Sequence, residues 1–174
     1  MVKSFALAGA ATLLALSVSL PAQAAGLNDA QIAHIAYTAG QIDIAAGKQA
    51  LAKSKNKAVR QFAQEMVRDH TAVNVKALAL LKKLHVTPQA NNTSAGLSRS
   101  AAAELRTLSH LRGAAFDRAY VRNEVAYHRT VNGALSTALI PNAQNGELKS
   151  LLQTGLTLFT EHQTHAEHLA SGMH

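Results

Sequence analysis

Between Asn28 and His85 the chain carries no proline and repeats its apolar residues at helical spacing, and this feature most limits the possible folds. Ile32, Ile35, Ala36, Ala39, Ala46 and Ala50 make one stripe. Val59, Phe62, Ala63, Met66, Val73, Ala77, Leu81 and Leu84 make a second. Asn28 or Asp29 can cap the first helix, Ser54-Lys55-Asn56 reads as the turn, and Val86-Thr87-Pro88 ends the second helix. Residues 89–98 read as a polar connector, followed by a short helix from Arg99 to His110. A third long helix is expected from about Ala114 to Leu139, striped by Phe116, Tyr120, Val131 and Leu135. Ile140-Pro141-Asn142 is the next expected turn. A fourth helix runs from about Ala143 to Ala170, with Leu148, Leu151, Leu152, Leu156, Phe159 and Leu169 on its apolar face. No alternating strand pattern appears. The expectation is an all-α, antiparallel, up-down-up-down four-helix bundle, with one short extra helix in the connection between helices 2 and 3.

The first 24 residues read as an address. Lys3 precedes an apolar run from Phe5 to Leu20, Pro21 breaks it, and Ala22-Gln23-Ala24 supplies a small-residue cleavage signal. That run is shorter than the roughly 20 residues a spanning helix needs, and no later segment is long and apolar enough to cross a bilayer. Residues 1–24 are therefore expected to be a signal peptide cleaved after Ala24, and residues 25–174 the helical domain of a periplasmic or secreted protein. The chain has no Cys, which removes disulfides, thiolate metal sites and Cys nucleophiles, so an exported product must rely on its apolar core. Removing 24 of the 174 residues leaves 150, enough for such a core.

Polar residues inside the apolar stripes carry the functional signal. On helical wheels Asp43, His70, Glu124, His128 and His162 fall on inward faces, so each long helix presents at least one ionisable group to the interior. With both hairpins turning at the same end, Asp43 and His70 stand roughly 18 and 22 Å from the turn near residue 55. On the same basis His128 and Glu124 stand roughly 20 and 26 Å from the turn near residue 142, and His162 about 30 Å. Charges in an apolar core must pair, hydrogen-bond or hold a metal. Two readings stand side by side: a mononuclear site for one divalent transition metal (zinc, copper or iron), or a metal-free Asp–His–Glu network that fixes helix register. Asp69 is a weak candidate to orient His70, because neighbouring helical residues point about 100° apart. Di-iron bundles use a Glu-x-x-His pair on each of two helices, and no Glu-x-x-His occurs here, which disfavours a ferroxidase.

Catalytic motifs are missing as well: there is no Gly-x-Ser-x-Gly, no phosphate-cradling glycine loop and no His-Glu-x-x-His. The His-rich tail, Glu161-His162-Gln163-Thr164-His165 onward, reads mainly as a solvated helix end, with a weak surface site for zinc or copper as the alternative. A formal net charge of +7, with Lys53, Lys55, Lys57 and Arg60 at one turn, suits weak contact with anionic envelope components. No nucleic-acid motif accompanies it, and only 4% of residues are aromatic, too few for base-stacking platforms. The alternative to a metal protein is thus a structural or stress-related envelope interaction module with a basic surface.

Gly47, Ala50 and the run Ala58-Val59-Arg60-Gln61-Phe62-Ala63-Gln64-Glu65-Met66-Val67-Arg68-Asp69-His70 resemble the hallmark of a bacterial ferritin-like family of unknown function, numbered 4142. Ala115-Phe116-Asp117-Arg118-Ala119-Tyr120-Val121 with His128 resembles its second motif, and Leu156 to His162 with Ala166 its last helix. The chain departs from the family pattern at Asp43, where the family has Glu, and at Thr157, where Pro is frequent. The resemblance implies an exported ferritin-like bundle and draws attention to His70, His128 and His162. It supplies no activity.

Overall fold

The computed structural model describes residues 26–173, so the expected signal peptide with its cleavage after Ala24 lies outside the described residues. Among the described residues the chain is helical and has no strand. The five long helices are α1 (Asp29–Lys53), α2 (Lys57–Lys83), α3 (Asn92–His110), α4 (Gly113–Ala134) and α5 (Gly146–Ser171). A π-helical turn, Leu135–Leu139, and one further helical turn, Ile140–Asn142, prolong α4.

Asparagine starts four of these helices. Asn28, Asn56, Asn91 and Asn145 each accept a hydrogen bond from a backbone N–H in the following turn, satisfying donors that have no partner within the helix. This explains why α3 begins at Asn92, within the connector expected at 89–98. Asn91 and Ser94 form a reciprocal capping box, so polar residues that suggest a loop instead nucleate a helix. The predicted turn at Ile140-Pro141-Asn142 is helical. Ser136 and Thr137 hydroxyls donate to the Gly133 carbonyl, the ladder widens into the π turn, and Pro141 then sits at the start of a new turn, where its missing N–H costs little. Only Leu111 and Arg112 join α3 to α4, and Gly113 takes a left-handed φ of 55° to make that corner.

Helix directions follow from paired contacts. Gln49 Nε2 donates to the Leu105 carbonyl, Lys53 to that of Ser109 and Asn91 to that of Gln31, so α3 runs parallel to α1. Glu65 meets His165 and Asp69 meets His162, so α5 runs antiparallel to α2. Asn132 meets Gln163 and Arg129 meets Glu167, so α5 is antiparallel to α4 also. Consequently α2 and α4 point the same way. The up-down-up-down order is corrected to up-down-down-up for α1, α2, α4 and α5. The cause is α3: its 19 residues rise about 28 Å, enough to carry the chain back along the molecule before α4 begins.

Two apolar clusters result. At the α1–α2 turn Ala50, Val59, Phe62, Met66, Phe116 and Tyr120 are fully buried. At the opposite end Ile32, Ile35, Leu81, Leu135, Leu148 and Phe159 cluster beside a cavity of about 670 Å³ that α3 helps to line. Close approach of α1 and α2 rests on Gly47, where a Cβ would lie 2.9 Å from Val67 Cγ2 and 3.1 Å from the Ala63 carbonyl. Two of the basic residues near that turn are engaged locally: Lys53 lies over the Phe116 ring, and Arg60 donates to the Leu51 and Ser54 carbonyls.

Candidate metal centre

The corrected topology draws the inward polar groups into a narrower layer than the sequence suggests. Heights are now counted from a common end, the one holding the α1–α2 turn, the start of α4 and the end of α5. Asp43 stands about 15 Å in, His70 about 20 Å, Glu124 about 16 Å, His128 about 22 Å and His162 about 14 Å. His162, the expected outlier at about 30 Å, joins the layer because α5 ends where α1 ends, so its depth is measured from Ser171. The layer separates the two apolar clusters, and all five side chains are at most 3% exposed.

The side chains meet. Asp43 Oδ2 lies 3.1 Å from His70 Nε2 and 3.4 Å from His128 Nε2, while Glu124 Oε2 lies 3.6 Å from His128 Nδ1. Ring centroids of His70, His128 and His162 are 5.4 to 5.7 Å apart. Phe159 stacks on His70 at 4.4 Å, which fixes that imidazole from the hollow side. The three imidazoles offer ligand atoms within 4.8 Å of one another, and so do Asp43, Glu124 and His128.

Hydrogen bonding assigns two tautomers. His128 Nδ1 is 3.0 Å from the Glu124 carbonyl, which can only accept, so Nδ1–H donates and Nε2 keeps its lone pair. His162 Nε2 donates to Asp69 Oδ2 at 3.1 Å, leaving Nδ1 as the nitrogen with a lone pair. Asp69 is itself held by Arg68 at 2.7 and 2.9 Å. Asp69 therefore orients His162, on the facing helix, and not the adjacent His70 as the sequence suggests. A carboxylate fixing the far nitrogen of an imidazole is the usual outer support of a metal ligand.

Burial dominates the electrostatics. It pushes His128 down to about 4, and it lowers His162 with help from His70, so both rings are neutral near pH 7. Burial also raises Glu124 well above the usual carboxylate range, and neighbouring Asp43 adds to that. Burial raises Asp43 too, but His70, His128 and His162 together outweigh it and hold this acid below its ordinary value. The Arg68 hydrogen bond, working against burial, lowers Asp69.

Seven nitrogen and oxygen atoms of this layer are buried without a well-aligned hydrogen bond: both carboxylate oxygens of Asp43, both nitrogens of His70, Glu124 Oε2, His128 Nε2 and His162 Nδ1, with Asp43 Oδ2 and His70 Nε2 the one pair close enough, at 3.1 Å, to share a proton. Leaving such atoms unpaired costs about 1–3 kcal/mol each, whereas coordination to a cation would satisfy several at once. Three imidazoles beside an ionised carboxylate are a donor set that suits zinc, copper or iron. The chain's own residues thus fit a transition metal. Glu65 escaped sequence reasoning, and His165, read mainly as part of a solvated helix end, stands 2.8 Å from it on the outer side of Asp69. Their signal was the matched spacing of Glu65 with Asp69 and of His162 with His165, readable only once α2 and α5 are known to pair.

Comparison with curated proteins finds no match. Among solved structures the fold is similar to that of a DUF305 protein from Streptomyces coelicolor described as secreted. The TM-score is 0.67 and the identity 12%, over 81% of this chain and 88% of that one. At sequence level the model of the family described as "Domain of unknown function (DUF4142)" matches residues 16–169, and the chain belongs to that family.

Proposed function

We propose that the protein is an exported, ferritin-like four-helix bundle, formed by α1, α2, α4 and α5, that binds one divalent transition-metal ion through His70, His128 and His162. Asp43 is the fourth donor and Glu124 an acid that can join by giving up its proton. The observation that carries this reading is the concentration of seven buried, unpaired ligand atoms in one layer. A metal-free register network would need those atoms bonded to one another. Within the layer the contacts are the Asp43–His70 approach at 3.1 Å and the His128–Glu124 carbonyl bond, while His162 reaches outward to Asp69, which leaves most of those atoms without a partner. When bound, the ion would act as a fixed positive charge neutralising Asp43 and tying four helices together. No catalytic role is assigned.

Export is supported by the charged start, apolar run and Ala22-Gln23-Ala24 signal. No helix among the described residues is long and apolar enough to cross a membrane. The mature form we propose begins at Ala25 and resides in the periplasm, its basic surface making weak contact with anionic envelope components. Mass spectrometry of periplasmic protein tests the cleavage. Elemental analysis of the same material tests the metal: one equivalent of zinc, copper or iron is expected, and it should be lost in His70→Ala. Metal-free protein whose melting temperature ignores added zinc, copper and iron sinks the reading.

A further inference from the structure

The buried layer needs a way for an ion to reach it, because its members are 1–3% exposed. Of the four acid–imidazole contacts it makes, three use Asp43 or Glu124, whose side chains are closed to solvent. The fourth, His162 with Asp69, uses a carboxylate with 15% of its side chain exposed. Just outside, Glu65 and His165 are 31% and 41% exposed and only 2.8 Å apart. Glu65, Asp69 and His162 offer ligand atoms within 4.8 Å of one another, a third potential ligand group, this one half open to water. The His165 ring stands edge-on to Phe62 at 5.1 Å, which sets its orientation toward Glu65.

Resting on the metal-binding reading above, we propose that Glu65, Asp69 and His162 form an outer capture site for a divalent transition-metal ion, with His165 on Glu65 at its rim, and that the ion passes to the buried layer by way of the shared His162. Exposure falls stepwise along this path, from His165 and Glu65 through Asp69 to His162. Glu65 and the Arg68-paired Asp69 put two carboxylates at one spot of a chain with net charge +7, a local attraction for cations. Mixed carboxylate and imidazole donors select the same class of ion as the interior.

The shared ring sets a proton rule. A neutral imidazole has one lone pair, so His162 binds an outer ion through Nε2 only with its proton on Nδ1. It serves the inner layer through Nδ1 only with its proton on Nε2, donated to Asp69. Transfer inward would therefore exchange the ring's proton with water, Nδ1 losing one to water and Nε2 gaining one from it, and the ring ends neutral.

Cobalt(II) loading of the full exported protein, followed by stopped-flow absorbance and by equilibrium titration, tests this. The wild type should show a fast, weaker class of site and a slower, tighter one. Glu65→Gln combined with His165→Gln should abolish the weaker class and slow filling of the tight site by about tenfold or more. The final tight affinity should stay within about threefold, since neither residue is in the inner set. His70→Ala should keep only the weaker class. If the double variant fills the tight site as fast as wild type, or retains the weaker class, the capture site is overturned while the metal-binding reading survives. If wild-type protein takes up no cobalt, zinc or copper at all, both fall.

Discussion

The two apolar ends of the molecule flank the same polar layer and are built differently. At the α1–α2 turn, Phe62, Phe116 and Tyr120 are fully buried, with Phe62 and Tyr120 edge to face at 6.2 Å. At the other end the cluster is mainly aliphatic and surrounds a cavity of about 670 Å³. Aromatic side chains fill the first end, whereas small residues such as Ala36, Ala39 and Ala77 line the cavity at the other. The layer therefore has one solid wall and one hollow wall, with Phe159 on His70 as the boundary on the hollow side. A rigid wall would hold the proposed ligands in place; a hollow one would let Phe159 and the rings adjust to an ion.

The largest expected effect lies at the solid end. Phe62→Ala should cost about 3–5 kcal/mol in denaturant unfolding, while Leu148→Ala, beside the cavity, should cost about 2 kcal/mol, because its neighbours already lack contacts on one side. Equal costs would break the comparison.

Acid should weaken the layer that joins the two ends. Folding lowers His128 from its ordinary 6.5 to about 4, so the unfolded chain takes up the proton first. The His128 contribution is unchanged above pH 6.5, falls as the pH drops from 6.5 toward 4, and loses on the order of 3 kcal/mol in all. His162 acts in the same direction. Glu124, raised by burial, acts in the opposite sense, losing stability as the pH rises through its folded value. Between pH 7.5 and 5, urea melts should show the wild type losing more stability, or gaining less, than His128→Gln. Zinc should raise the melting temperature more at pH 8 than at pH 5.5, because protons compete for the same atoms.

At the solid wall, Gly47→Ala should cost about 1–3 kcal/mol, since the new methyl meets Val67 and the Ala63 carbonyl. Thermal unfolding reads this directly. The smallest expected effect is a gain at the hollow end. His85 closes α2 with φ of 53°, while Val86 N–H returns to the Leu81 carbonyl, the cap that glycine makes without strain. His85→Gly should add about 1 kcal/mol.

Much of this protein is legible along the chain, for a physical reason: helical periodicity, caps and the inward or outward sense of a side chain depend on neighbours within one or two turns. That is why the all-helical fold, the turn at Ser54–Asn56, the inward aim of Asp43, His70, Glu124, His128 and His162, and the family could be read without coordinates. Tertiary structure decided what depends on distant partners. Asn91 became a helix cap instead of part of a loop, α3 grew long enough to reverse the direction of α4, and that reversal brought His162 level with the other imidazoles. The same pairing of α2 with α5 set Asp69 on His162 and Glu65 beside His165, contacts between residues 93 and 100 positions apart that no local pattern encodes.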